Sequence, residues 1–292
     1  MNLKNIFVYT CCMNISVDLF TPHVASNLIW KYKEEKSSYP KSPLRYPGGK
    51  ARAVSILLSL IPSNIEVLVS PFIGGGSLEI AIAHLGIKVL GFDIFDPLVS
   101  FWQELLTNPS RLADNVQKYI PLEKKIFYEL QDSYPSNRLD IATQFYVLNR
   151  ASFSGATMSG GMSPGHPRFT QSSIDYLRQF FLPNLYVQKQ DFHLTLSYET
   201  NSFLYLDPPY LIESNLYGRK GNTHKDFDHH GLWKLLKNRN NWIMSYNNCD
   251  EIRDLYKDFR ILFPEWKYGM SSSKQSKEII ILSNDMPEVI GG

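Results

Sequence analysis

Two short apolar runs, at residues 67–70 and 88–93, flank the segment Ser70-Pro71-Phe72-Ile73-Gly74-Gly75-Gly76-Ser77 and an apolar, helix-spaced stretch at 78–85. A strand, a glycine turn, a helix and a second strand in that order read as a βαβ unit, with parallel strands and a right-handed crossover. The turn also constrains what can bind there. Glycine permits a tight reversal and a close backbone approach, and a helix start offers unpaired N–H groups and positive potential. The second run ends at Asp93, where a carboxylate can accept hydrogen bonds from ribose hydroxyls. A nicotinamide, a flavin or an adenosine cofactor would all suit this arrangement.

Alternation resumes late in the chain. Residues 186–189, 203–206, 242–245 and 278–282 read as strands, with helices at 232–236 and 251–256. Between the two α/β stretches lie helical pieces at 124–131 and 141–149. A glycine- and serine-rich segment, 152–165, follows and ends in His166-Pro167-Arg168. This predicts one α/β domain, built from 42–101 and 184–292, interrupted by a mainly helical insertion at 102–183 and preceded by an extension at 1–41. A chain of 292 residues can bury a core of that size.

Composition limits the class further. With 43% hydrophobic and 20% charged residues, neither disorder nor a membrane span is expected, and no run reaches the roughly 18 apolar residues a spanning helix needs. The first 21 residues lack the apolar core and cleavage site of a signal peptide. Cys11, Cys12 and Cys249 have no metal-ligand spacing, which suits a reducing cytoplasm. A net charge of +2 permits a nucleic-acid partner without demanding one.

The run Leu204-Tyr205-Leu206 delivers Asp207-Pro208-Pro209-Tyr210 to a strand end, the edge of an open α/β sheet where ligands bind. Two prolines fix φ and remove two N–H donors, so the carbonyls of this turn can face a ligand. Such a turn suits one task well. The N6 amine of adenine is a poor nucleophile because its lone pair is delocalised into the ring. The Asp207 carboxylate and the Pro208 carbonyl can hold both amine hydrogens and favour a pyramidal nitrogen. Tyr210 can stack on a base that has left the duplex. Upstream, Leu44-Arg45-Tyr46-Pro47-Gly48-Gly49-Lys50 precedes a predicted helix at 51–60; there Tyr46 can stack and Lys50 can reach an anionic group or backbone carbonyls.

Taken together, these residues resemble the Dam-like, alpha-group DNA adenine-N6 methyltransferases. In that family an Arg-Tyr-Pro-Gly-Gly-Lys segment leads, Pro-Phe-x-Gly-Gly-Gly-Ser follows, and Asp-Pro-Pro-Tyr comes after an inserted target-recognition domain. Here the order is residues 45–50, 71–77 and 207–210, and the resemblance covers about 42–284. It implies a Rossmann-like sheet of seven mostly parallel strands, S-adenosylmethionine as cofactor and double-stranded DNA as partner. It further implies cofactor contacts from Tyr46, Lys50, Phe72, Gly74, Gly76, Asp93 and Asp207, with Asp191-Phe192 flanking the cofactor's adenine. Asp207, Pro208, Pro209 and Tyr210 are the implied catalytic residues. Ser245-Tyr246-Asn247 matches a strand end near the flipped base, and Tyr268, Lys274 and Lys277-Glu278 match a closing loop with phosphate contacts.

The insertion has a counterpart as well. Asn149-Arg150-Ala151-Ser152-Phe153-Ser154-Gly155 is similar to the Asn-Arg-x-x-Phe-x-Gly segment that opens the family's DNA-reading hairpin. The family's GATC readers continue with Asn-Gly-Leu-x-Arg, whereas Ser154-Gly155-Ala156-Thr157 stands here, so a GATC target is not implied. Asn149, Arg150 and Arg168 are the expected DNA contacts from this region, with Ser245, Asn247 and Lys274 from the catalytic domain. A monomer serving a restriction-modification or orphan role is expected, in the former case beside a cognate restriction endonuclease.

No metal is expected. His224, Asp226, Asp228, His229 and His230 are irregularly spaced in a charged, glycine-containing stretch that reads as a solvated loop. Methylation of cytosine N4, of RNA adenine or of a protein glutamine is the nearest rival reading; by the family pattern Asp at 207 favours adenine over cytosine N4, and the inserted domain favours DNA over a protein. A nicotinamide oxidoreductase leaves residues 45–50 and 207–210 unexplained.

Overall fold

The computed structural model describes residues 39–46, 48–165, 168–198, 201–211, 227–264 and 278–286. At its centre β1 (Val67–Ser70) pairs in parallel with β2 (Lys88–Asp93) on one side and β4 (Phe203–Leu206) on the other. Beyond β2 lies β3 (Leu185–Lys189), and beyond β4 lies β5 (Trp242–Asn247), both parallel to their neighbours. The last strand in sequence, β7 (Glu278–Leu282), inserts antiparallel between β5 and the short β6 (Arg260–Leu262). The seven strands run in the order β3-β2-β1-β4-β5-β7-β6.

Strand order reverses between β1 and β4. Chains leaving those two strands diverge to opposite sides, which opens a crevice at their carboxyl ends. The glycine turn leaves β1 and Asp207 leaves β4, so the two motifs meet there although they are far apart in sequence.

Helices cover both faces of the sheet, and β4 and β7 are buried along their whole length. Successive strand residues alternate between two cores. Leu68, Phe203, Ile243 and Ile280 face the core shared with α1 (Val54–Leu60) and α2 (Ser77–His84). Val69, Leu204, Met244 and Ile281 face the core shared with α8 (Phe192–Tyr198) and α9 (His229–Leu236), and with Ile252 of α10 (Asp250–Leu255).

The middle of the chain is helical: α3 (Asp96–Thr107), α4 (Pro109–Gln117), α5 (Lys124–Asp132), α6 (Arg138–Ala151) and α7 (Gln171–Arg178). The boundary expected at 101/102 falls inside α3, whose Phe101 and Trp102 are fully buried. Leu112, Phe127, Phe145 and Leu177 belong to the same core as Leu68 and Val89. These helices therefore extend the hydrophobic layer of the sheet rather than enclosing a core of their own.

Local signals for α4 and α7 are present in the sequence. Asn108 caps α4 by accepting from the Arg111 N–H, with Pro109 at the first position, and Thr170 and Ser173 form a reciprocal capping box on α7. After α6 a tight turn (Phe153–Gly155) leads into a loop closed by an isolated bridge between Ser152 and Met162.

Candidate active site

The centre of the site is an ion pair. Lys50 is 4% exposed, and its Nζ lies 2.9 Å from each carboxylate oxygen of Asp207. The same ammonium donates to the Gly48 carbonyl at 2.8 Å and stands 3.6 Å from Glu278 Oε1 on β7. It also lies 5.0 Å from the centre of the Tyr210 ring, within cation–π range. Burial raises the Asp207 pKa, and the ammonium beside it works in the opposite direction. Asp207 keeps 22% of its side chain exposed, towards the crevice.

The turn after Asp207 is held by the neighbouring strand. Asn247, at the end of β5, accepts from the Leu211 N–H at 3.1 Å and donates to the Leu211 carbonyl at 3.0 Å. Tyr246 stacks on Tyr210 with ring centres 5.9 Å apart and planes inclined by 21°. The Tyr246 hydroxyl is itself hydrogen-bonded to His229 Nδ1 at the start of α9. Tyr210 is thus braced from behind before any base reaches it.

The glycine turn is packed by the protein's own rings. Gly76 caps α2 in the left-handed region, at φ 65°, and Gly74 has φ 47°. A Cβ at Gly75 would stand 2.7 Å from Tyr46 Cβ, and one at Gly76 would stand 3.0 Å from the Trp102 ring. Trp102 Nε1 donates to the Gly74 carbonyl at 3.0 Å. Asp93, at the end of β2, accepts from the Gly74 N–H at 3.2 Å and the Phe95 N–H at 3.0 Å. Its pKa is raised by burial, which these two donors oppose.

Three phenylalanines wall the far side. The rings of Phe72, Phe192 and Phe227 lie 5.1 to 5.6 Å apart, centre to centre, each in contact with the other two. Asp191 Oδ1 accepts from the His193 N–H and lies 2.8 Å from His193 Nδ1, while His193 Nε2 lies 3.6 Å from Asp228. The cavity enclosed by these groups measures about 660 Å³ and runs from the aromatic wall past the glycine turn to Asp207, with Thr157 and Met158 also on its lining. Among the described residues, no three histidine, cysteine or acidic side chains cluster closely enough to hold a metal ion.

Tyr46, Lys50, Phe72, Gly74, Gly76, Asp93, Asp191, Phe192 and Asp207 all line this one cavity, as do Pro208, Pro209 and Tyr210. The expected DNA contacts are distributed differently. Asn149 is fully buried, and its amide bonds both backbone groups of Arg45 and the Thr157 hydroxyl. Ser245 is likewise buried, 3.3 Å from the Tyr205 hydroxyl. Neither presents a polar atom to a DNA surface, because each is committed to holding a neighbouring segment.

Arg150 is half-buried and donates to the carbonyls of Arg168 and Pro43; Arg168 is exposed. Lys274, together with Tyr268 and Lys277, lies outside the described residues, as do His224 and Asp226. Among the site residues that the sequence does not mark, besides Thr157 and Met158, are Glu79 and Phe227. Glu79 looked like one position of an apolar helix, and Phe227 lay in a stretch read as a solvated loop. Only their placement on the cavity reveals them.

A switched, largely parallel sheet with an antiparallel β7, and an Asp-Pro-Pro-Tyr turn over a nucleotide-sized crevice, define a methyltransferase of the Rossmann-like class. The chain belongs to the D12 class N6 adenine-specific DNA methyltransferase family, whose sequence model matches residues 46–270. It is therefore an enzyme that methylates adenine in DNA and draws on a methyl donor.

Among its relatives is the type II methyltransferase M.CviBI of Paramecium bursaria Chlorella virus NC1A, 23% identical over 78% of this chain and 91% of its own length. M1.LlaDCHI of Lactococcus lactis subsp. cremoris is 23% identical over 87% of this chain and 98% of its own. M.MjaIII of Methanocaldococcus jannaschii is 24% identical over 75% and 88%, respectively. No helix among the described residues is long and apolar enough to cross a membrane.

Proposed function

We propose that the chain transfers a methyl group from S-adenosylmethionine to N6 of an adenine turned out of duplex DNA, at a specific site, as the modification enzyme of a restriction-modification system. The observation that carries this reading is the Lys50–Asp207 pair, set where the strand order switches and opening onto the cavity. The residues present fit an adenosine-type donor. Phe72, Phe192 and Phe227 offer faces for a purine, Asp93 offers an acceptor for ribose hydroxyls, and about 660 Å³ is room enough for a nucleoside with an amino-acid tail. When bound, that donor supplies an electrophilic methyl group on a sulfonium.

The chain's own groups do the positioning. Lys50 holds the Asp207 carboxylate at a fixed angle, and Asp207 with the Pro208 carbonyl accepts the two N6 hydrogens, directing the nitrogen lone pair into the cavity. Tyr210, braced by Tyr246, stacks on the extruded base. Asn247 holds the turn that carries Tyr210. Arg150 and Arg168 meet DNA phosphates or base edges beside the 152–162 loop, and Lys274 adds a phosphate contact. Type II relatives favour the restriction-linked role over an orphan one.

The test is a nucleoside digest of mixed-sequence duplex DNA after incubation with labelled donor. N6-methyl-2′-deoxyadenosine is the expected product; N4-methyl-2′-deoxycytidine, or label in RNA or protein alone, would overturn the reading. Asp207→Ala should abolish incorporation, and retained activity would displace the tetrapeptide from its catalytic role.

A further inference from the structure

Glu79 lies in the first turn of α2, is 2% exposed, and lines the cavity. One of its oxygens accepts from the Ser70 hydroxyl at 2.6 Å. The charged groups bearing on it come from two further elements, Lys50 from the loop before α1 and Asp207 from the end of β4, with the Tyr205 hydroxyl of β4 alongside. Lys50 is the shared cation of this group, and it is in direct contact with both oxygens of Asp207 and near Glu278. Asp207 and Glu278 lie beside that ammonium, whereas Glu79, hydrogen-bonded to the neutral Ser70, forms no direct bond to it.

A buried carboxylate supported only by neutral donors, here the Ser70 hydroxyl and the residue's own backbone N–H, is costly to ionise. A positively charged ligand in the cavity lowers that cost, and a neutral one does not. The methyl donor carries a sulfonium charge and its product is an uncharged sulfide. Methyl transfer therefore removes a positive charge from the cavity while the methylated nitrogen must lose a proton.

We propose that Glu79 is the charge-compensating residue of the donor site, ionised beside the sulfonium form and protonated beside the sulfide form. This rests on the S-adenosylmethionine reading above. The balance closes within one turnover. The methyl moves from sulfur to N6, the N6 ammonium gives up one proton, and the Glu79 carboxylate gains one. Exchange of sulfide product for fresh donor then returns that proton to solvent. Burial pushes the Glu79 carboxyl up to about 7, which puts the change within the working pH range.

Isothermal titration of the full-length protein at about pH 7, in buffers of differing ionisation enthalpy, reads the proton count directly. S-adenosylmethionine should release about half a proton and S-adenosylhomocysteine take up about half, a difference of about one, as expected for a group near half-titration in the free protein. The affinity ratio of the two ligands should shift towards S-adenosylmethionine as pH rises from about 6 to 8.

Glu79→Gln keeps the size and the Ser70 contact, and should bring the two proton counts together and flatten the ratio. A merely structural role would move neither readout. Equal proton counts in the wild-type protein, or a difference that persists in Glu79→Gln, overturn this inference while leaving the donor assignment standing. Failure of both ligands to bind the wild-type protein overturns the donor assignment and this inference with it.

Discussion

Asn149 and Arg45 are joined as a strand pair would be: the buried amide accepts from the Arg45 N–H at 2.8 Å and donates to its carbonyl at 2.9 Å. The same amide nitrogen reaches the Thr157 hydroxyl at 3.1 Å. One side chain on α6 therefore ties the segment bearing Tyr46 to the loop after Phe153. Asn149→Ala should strip partners from three polar groups and cost about 2–4 kcal/mol of stability. Urea denaturation checks this. Unchanged stability with loss confined to DNA binding would restore Asn149 to the DNA surface.

Lys50→Met tests the ion pair. Without the ammonium, Asp207 loses what opposes the burial-driven rise in its pKa. A carboxyl raised in the folded state is most stabilising below its unfolded pKa and loses that contribution as pH rises. The variant should therefore be nearly as stable as wild type at about pH 4 and roughly 1–3 kcal/mol weaker at pH 8, a range discounted for the partial exposure of Asp207. Methylation should be lost at every pH.

Glu79→Gln should show the complementary stability profile. The folded-state value of about 7 against an ordinary 4.5 means that wild type loses stability as pH climbs through that window. The glutamine carries no such loss, so the variant should gain up to about 3 kcal/mol over wild type at pH 8 and nothing at pH 4. Paired denaturation curves at the two pH values decide it.

Gly75→Ala places a Cβ 2.7 Å from Tyr46 Cβ, at a position whose φ carries no penalty for alanine. The expected result is displacement of Tyr46 and a tenfold or greater loss of donor affinity, about 1.4 kcal/mol or more, with the fold retained. Equilibrium binding together with circular dichroism separates the two effects.

Phe227→Ala removes one ring of the aromatic wall. Donor affinity should fall by about 10- to 100-fold, in line with the 1–3 kcal/mol of a stacked aromatic contact. An unchanged affinity would make Phe227 a packing residue only.

Much of the framework was legible from local pattern. Residues 67–70, 88–93 and 203–206 read as strands because a buried parallel sheet demands short continuous apolar runs, and the antiparallel 278–282 reads the same way because it too is buried along its whole length; the structure has strands at all four positions. Residues 260–262 went unread because a three-residue, half-buried strand has too little periodicity to register. The helix at 96–107 was divided at 101/102 because composition changes there, while packing continues across Phe101 and Trp102.

By itself, the sequence determined the βαβ unit, the glycine turn and the Asp-Pro-Pro-Tyr corner, because each is a local matter of backbone sterics and alternation. Tertiary structure alone decided the rest. Whether Asn149 faces DNA or Arg45, and whether Glu79 is a core residue or part of the cavity floor, depends on contacts across long stretches of chain. So does the placement of Lys50 between Asp207 and Glu278, since a buried charge takes its meaning from whichever distant groups the fold brings within a few ångströms.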